Sequence, residues 1–347
     1  MLNFCNMESP MQTAQNSSGF MNILQDKNPI DVSIVIVCMN NLKNLYPCLK
    51  SIRKYTTEIT YETLVVAYLF TEENLKKVKL DFPWVTFIES NEIRGFSENN
   101  NLALRQASGK YCFVLNDDTE MKMPVVDMLI ETIEGLPNDV AVVSPKSIFG
   151  DGSLQSCGRP EFTITTAILR NMMLWDEQKT KSPYVNQQGI FQTYHLWGAF
   201  FLIKTKIFKE MGWFDERYFF SSEDVDLSRK INRAGYRCYV NADVVITHYE
   251  GMTGKGVSML QLATKPAGYK GSIIFYGDGS KLRTICISII FFIFLIPQFI
   301  YHVANFIIGK DKVRNGILAQ VNINCMKITF LSITPKEAFM RFSKGLI

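Results

Sequence analysis

The sequence predicts an α/β protein: a mostly parallel sheet with helices on both faces, followed by a C-terminal helical segment that associates with a membrane. Three observations carry that expectation. From residue 32 onward, short β-branched runs alternate with segments whose apolar residues recur at helical spacing. One run, Tyr111-Cys-Phe-Val-Leu115, is apolar throughout, as a strand covered on both faces must be. Finally, residues 284–309 contain no Asp, Glu, Lys or Arg.

In chain order, residues 1–30 read as a loose polar extension, rich in Asn, Gln and Ser, with no secretory signal. Val32–Cys38 is the first strand. Leu42–Tyr55 is a helix with apolar residues at 42, 45, 49 and 52. Glu62–Phe70 is a strand, and Thr71 caps a helix reaching Val78. Trp84–Ile88 is a third strand. Ser97–Ala107 is a helix with Gly109 as its stop. The Tyr111 strand follows, then a helix from Pro124 to about Glu134 and a strand at Val140–Ser144. Residues 150–192 read as irregular loops. Leu196–Ile203 returns to strand, Lys204–Met211 is a helix broken by Gly212, and Asp224–Ala234 is a helix stopped by Gly235. Cys238–Asn241 and Val244–His248 read as two short strands.

The charge is unevenly spread. Residues 256–347 carry 11 Lys and Arg against 3 Asp and Glu, a net +8; residues 1–255 carry 26 against 30, a net −4. A tail both basic and apolar suits an anionic membrane surface, and no basic-aromatic stripe points to nucleic acid. Pro297, Gln298, His302 and Asn305 interrupt the apolar segment, so a spanning helix, an interfacial helix and a buried core helix all stay open. The eight cysteines, without a Cys-x-x-Cys pair, suggest reduced thiols on the cytoplasmic side.

Two acidic groups carry the chemistry. A buried strand ending in Asn116, Asp117, Asp118 and Thr119 delivers hard oxygen ligands to a sheet rim, where open α/β folds bind ligands. Such ligands suit Mg²⁺ or Mn²⁺, which holds a diphosphate. About a hundred residues on stands Ser221-Ser-Glu-Asp-Val-Asp226. Asp224 is the candidate general base, biased by the like charges of Glu223 and Asp226. The competing interpretation is a helix cap built from Ser221 and Asp224.

The chain resembles the inverting nucleotide-sugar glycosyltransferases of family two, in particular their rhamnosyltransferase-like branch. The resemblance covers residues 31–255 and rests on Val32-Ser-Ile-Val-Ile-Val37, Gly95-Phe-Ser-Glu-Asn-Asn-Asn101, Leu115-Asn-Asp-Asp-Thr119, Gly212-Trp-Phe-Asp-Glu216 and Ser222-Glu-Asp-Val-Asp-Leu227, in that order. It implies a GT-A fold, a Rossmann-like nucleotide-binding half at 31–120 and an acceptor half at 121–255, with 256–347 as a membrane-associated tail. It implies Asp118 and His248 as ligands of a divalent cation, with Asn116 at the first position of the metal motif and Asp117 toward the ribose. It places Asn40, Asn41, Gly95, Phe96 and Asn100 near the nucleotide, Trp197 at the sugar pocket, Glu223 beside it, and Asp224 as base. Gly251–Gly256 would be a lid, with Lys255 available to phosphate.

The chain departs from the family at Val65–Thr71, where an Asp that recognises the base is missing; Tyr68 is the candidate to stack on the base instead. The donor is expected to be UDP- or dTDP-linked, and the acceptor a surface polysaccharide or a lipid-linked oligosaccharide. A degenerate module that binds glycan or a partner without turnover is the alternative. A nucleotidyltransferase would want a Gly-rich basic loop after the first strand, and residues 39–46 offer none.

Overall fold

The computed structural model describes residues 29–171, 184–249 and 258–345. The polar N-terminal extension through residue 28, the segment Gly251–Gly256 and Lys255 lie outside the described residues. The elements run β1 (Val32–Met39), α1 (Leu42–Tyr55), β2 (Tyr61–Tyr68), α2 (Glu72–Asp81), β3 (Val85–Ser90), α3 (Phe96–Leu104), β4 (Tyr111–Asn116), β5 (Thr119–Met121), α4 (Val125–Gly135), β6 (Val140–Ile148), α5 (Ile164–Asn171), β7 (Ile190–Thr193), β8 (Phe200–Lys204), α6 (Thr205–Glu210), α7 (Glu223–Arg233), β9 (Arg237–His248), α8 (Gln261–Gly277), α9 (Lys281–Ile307), α10 (Lys312–Ile328) and α11 (Pro335–Phe342).

One sheet organises the chain, in the order β3-β2-β1-β4-β8-β6-β9-β5, with β7 also on β9. Its first half, β3-β2-β1-β4, is parallel throughout. Its second half is mixed: β8 runs antiparallel to both β4 and β6, β6 and β9 are parallel, and β5 and β7 lie antiparallel on β9. The expected parallel sheet is thus found up to Asn116 and gives way beyond it.

Strand β4 is apolar up to Leu115 because it feeds two cores. From β4, Tyr111, Phe113 and Leu115 enter one core with α1 and α4, and Cys112 and Val114 enter the other with α3, α6 and α7. Successive strand side chains point to opposite faces, so a strand covered on both sides needs no polar residues.

Several expectations change. Gly109 does not stop a helix; α3 ends at Leu104, and Gly109 lets its backbone approach that of Val32 and Ser33. The loops at 150–192 contain α5 and the start of β7. Trp197 and Gly198 lie before β8 rather than in it, because the ladder to β4 begins at Phe200. The two short strands after Gly235 are one strand, β9, whose pairing with β6 is irregular near Pro145.

Candidate active site

The turn between β4 and β5 holds the first acidic group. Thr119 donates its hydroxyl to the Asn116 carbonyl (2.7 Å), closing the turn, and the Asn116 N–H donates to the Ala199 carbonyl (2.8 Å). Because β5 then pairs with the end of β9, Thr119 stands opposite His248, and the Tyr249 N–H donates to the Asp118 carbonyl. The result is that His248 Nε2 lies 3.3 Å from Asp118 Oδ1.

The proton placement at that contact follows from its neighbour. The Gln155 amide donates its Nε2 to the His248 carbonyl, so its Oε1 is the acceptor facing His248 Nδ1 at 3.3 Å. In the neutral imidazole this pairing places the proton on Nδ1 and turns the Nε2 lone pair toward the carboxylate oxygen. Asp118 Oδ1 is buried and accepts no hydrogen bond. Either a proton on Nε2 or a cation bound between the two groups would stabilise this contact. A divalent cation fits this pair: Mg²⁺-type sites use one or two protein ligands and complete their shell with substrate phosphates. Among the described residues no cluster of three His, Cys, Asp or Glu side chains exists, so the remaining ligands would come from substrate and water.

Asp117 turns the other way, against the Cys38 thiol at the end of β1; burial pushes its carboxyl up to about 6, despite that hydrogen bond.

The second group starts α7. Ser221 and Ser222 both adopt positive φ, and no side chain caps the helix. The Ser221–Asp224 capping pattern is therefore absent. Asp224, 9% exposed, accepts the Gly198 N–H (3.2 Å) and Arg159 Nη1 (3.3 Å) on Oδ2, and its own Val225 N–H on Oδ1. Gly198 permits this approach: a Cβ there would lie 3.2 Å from the Asp224 Cβ. Glu223 is 8% exposed, with Oε2 unpartnered; burial first, then the Asp224 charge, pushes its carboxyl up to about 8. Asp226, expected to bias Asp224, has partners of its own. It is paired with Arg229 (2.8 Å) and Lys230 (2.9 Å) and accepts the Tyr218 hydroxyl.

The turn before β8 links the segments that carry the two acidic groups. Asp224 binds the Gly198 N–H, and the next residue, Ala199, binds Asn116. Phe200, one residue further, packs edge-on against His248 at 5.5 Å between ring centres.

Other expected residues are placed as follows. Asn40 accepts from the Asn74 side chain (2.9 Å) and so ties β1 to the start of α2, while Asn41 caps α1 through the Asn44 N–H. Tyr68 is buried at the end of β2 and its hydroxyl accepts the Arg94 N–H (3.3 Å). Gly95 allows α3 to start against the Phe219 carbonyl, where any Cβ would overlap, and Phe96 packs edge-on against Phe214. Asn100 is buried and donates to the Phe96 carbonyl, which binds it to its own helix. Trp197 carries the Arg159 guanidinium 3.3 Å above its ring, with its own Nε1 buried and unpartnered.

Arg159 is the residue that sequence reading missed. It sits in the irregular stretch Cys157-Gly-Arg-Pro160, with no periodicity to mark it. Only the fold brings it onto both Asp224 and Trp197.

Comparisons with known proteins bear on the fold and the family. The chain is 24% identical over 192 residues to the O-antigen biosynthesis protein RfbC of Myxococcus xanthus, covering 54% of this chain and 14% of that protein. It is 28% identical over 187 residues to the rhamnosyltransferase WbbL of Escherichia coli K12, covering 50% of this chain and 68% of that one. Among solved structures, GalNAc-T7 crystallised with UDP, GalNAc and Mn²⁺ superposes with a TM-score of 0.53 at 18% identity, covering 67% of this chain and 46% of that chain. That likeness establishes a shared GT-A fold. The sequence profile described as glycosyl transferase family 2 matches residues 33–212, more than half of the chain, and the protein therefore belongs to glycosyl transferase family 2.

Proposed function

We propose that the protein is an inverting, metal-dependent glycosyltransferase that moves a sugar from a nucleoside diphosphate to a polysaccharide or lipid-linked acceptor at the cytoplasmic membrane face. The observation that supports this is the Gly198–Ala199 turn, whose backbone binds Asp224 on one side and Asn116, two residues before Asp118, on the other. Residues 31–120 would bind the donor and 121–255 the acceptor. Asp118 and His248 would hold a divalent cation, Mg²⁺ or Mn²⁺, whose charge offsets that growing on the leaving diphosphate. Asp224 takes the proton of the acceptor hydroxyl as its oxygen attacks the anomeric carbon, while the bond from that carbon to the diphosphate breaks. Attack opposite the leaving group inverts the configuration. Gly198 and Arg159 hold Asp224 in place, and Glu223, whose carboxyl is pushed up by burial and by the Asp224 charge, would stand beside the sugar.

The relatives named above support a deoxyhexose such as rhamnose as the sugar and an envelope polysaccharide as the product class. Tyr68 would face the base from the rim of β2, in place of the absent carboxylate.

Helix α9 supports membrane attachment. Among the described residues it is the one helix long and apolar enough to cross a bilayer. It is not a core helix. Leu282, Ile285, Ile289, Ile293, Ile296, Ile300 and Ile307 form an exposed stripe, while Ile287, Phe291 and Leu295 are buried. On the buried side Leu295 packs on α10 and Ile287 and Phe291 pack on α5 and α8; the buried Asn315, Asn322 and Asn324 of α10 suit a protein interior rather than hydrocarbon. A helix committed on one side to a polar partner lies in the interface plane rather than across it.

Calorimetry with UDP- and dTDP-linked sugars, with and without Mn²⁺, tests the reading. Binding that requires the metal, followed by transfer with inverted configuration by NMR, is expected. Absence of binding under both conditions would overturn it in favour of a module without turnover.

A further inference from the structure

The face formed by α1 and β5 carries charge against the trend of its surroundings. Residues 1–255 are net −4. Yet a cavity of about 510 Å³ between α1 and β5 is lined by Lys50, Lys54 and Lys122, with Glu120 as its one carboxylate. Helical spacing builds one wall. Tyr46, Lys50 and Lys54 follow one another at four-residue intervals along α1, and Pro47, Ser51 and Tyr55 form the adjoining row. Strand alternation builds the other. Thr119 and Met121 are buried, which leaves Glu120 and Lys122 on the outer side. The Met121 N–H donates to the Ser51 hydroxyl (3.0 Å), and Ser51 donates to the Cys48 carbonyl (2.8 Å), so the two walls are fixed to each other.

The charge in this groove is not cancelled locally. Among the described residues no carboxylate stands within ion-pair distance of Lys50, Lys54 or Lys122. Glu120 accepts the Tyr249 hydroxyl (2.6 Å) instead. At the Tyr46 edge, Lys77 lies over the ring and Asp81 accepts the phenolic hydroxyl, and these two charges offset each other. Three lysines and one glutamate therefore leave the lining at a net +2. Like charges held on two fixed walls repel, and an anion spanning them relieves that repulsion more than one that meets a single lysine.

We propose that this groove is a second ligand site, taking a small oligophosphate that bridges Lys50 and Lys54 of α1 to Lys122 beyond β5. Three ammonium groups on two elements select several charges over one, and they meet phosphate oxygens as point charges with three donors each. The volume lies within the range of small-molecule sites, roughly 300–1,000 Å³, which suits a short anion. None of the residues placed at the candidate active site lines this groove, so the inference goes beyond the transferase reading and does not rest on it. Tyr249 joins the two regions, with its hydroxyl on Glu120 and its N–H on the Asp118 carbonyl.

The test is calorimetric titration of the full chain with inorganic tripolyphosphate and with inorganic phosphate, in metal-free buffer so that the Asp118 site takes no part. Tripolyphosphate is expected to bind at one equivalent and at least about tenfold more tightly than phosphate, since it reaches more than one lysine. Lys50→Gln and Lys122→Gln, both at exposed positions, should each weaken it by about tenfold and keep the native circular dichroism. Lys43→Gln, which removes the same charge from α1 outside the groove, should leave the affinity unchanged. Equal affinity for the two anions would overturn the site. An equal loss in Lys43→Gln would do so too, by reducing the effect to the general field of the surface. Undiminished binding in both groove variants would move the anion to the basic C-terminal segment. Sedimentation with phosphatidylglycerol vesicles distinguishes a free anion from a lipid headgroup: it should be the same for native protein and groove variants, and its loss in Lys50→Gln or Lys122→Gln would make the groove a headgroup site and overturn the assignment.

Discussion

At the scale of residues, Asp224 separates a catalytic role from a structural one. A capping aspartate contributes about 1 kcal/mol to stability, but α7 has no side-chain cap to lose. Asp224→Asn keeps an acceptor for the Gly198 N–H but leaves the Arg159 guanidinium without its charge partner, so it is expected to melt lower yet stay folded, while kcat falls by about 10² to 10⁴-fold, the usual worth of a general base; calorimetry and product assays on one preparation check both. Glu223 gives a pH signature. Its carboxyl is raised from the ordinary range near 4.5 to about 8, so the folded protein holds a proton that the unfolded chain releases. Stability attributable to this group is then lost as pH rises from about 4.5 to 8, the opposite of a salt-bridged carboxylate. Glu223→Gln should flatten that decline in denaturant titrations at pH 5 and 8. An unchanged slope would place the shift elsewhere.

At the scale of elements, two short segments set the geometry. The turn before β8 brings a backbone N–H to Asp224 only because residue 198 has no side chain. Gly198→Ala should lower kcat by about tenfold or more, with donor KM little changed, since misplacing a reacting group by a fraction of an ångström costs rate rather than binding. Helix α9 acts at a different level. Ile289 and Ile293 are exposed and hold no core together. The double variant Ile289→Asp, Ile293→Asp should keep its far-ultraviolet circular dichroism and lose sedimentation with phosphatidylglycerol vesicles. Native binding should weaken with salt, because Lys281, Arg283, Lys310, Lys312 and Arg314 flank the stripe. Salt-insensitive binding by the double variant would refute the interfacial placement.

At the scale of the whole molecule, the sheet changes character at the place where chemistry is expected. Up to β4 it is parallel; from β8 onward it is mixed, and the β4–β5 turn bridges the two by reaching the end of β9. Asp118 comes from one half and His248 from the other. Metal and nucleotide bound there would clamp both halves. Mn²⁺ with UDP or dTDP should raise the melting temperature of the single transition, and Asp118→Asn should abolish the metal-dependent part of that rise. A full shift in Asp118→Asn would remove Asp118 from the site.

Much of this was legible in the chain itself. The β-branched runs determined the strands from β1 to β4, because a strand covered on both faces must be apolar without interruption. The four polar residues closing β4 determined one rim of the site, and the uncharged stretch at 284–309 determined an apolar helix. Periodicity reports only neighbours along the chain, so it was silent on pairings between distant residues. That is why no local pattern marks Arg159, why the Ser221 capping pattern gives way to two positive-φ residues, and why β9 reads locally as two strands. Tertiary structure alone decided that His248 lies against Asp118, that Gly198 and Ala199 link Asp224 to Asn116, and which side of α9 is left bare. The physical reason is the same in each case: antiparallel pairing and helix packing bring together groups tens to hundreds of residues apart, and no local pattern records which partner they will meet.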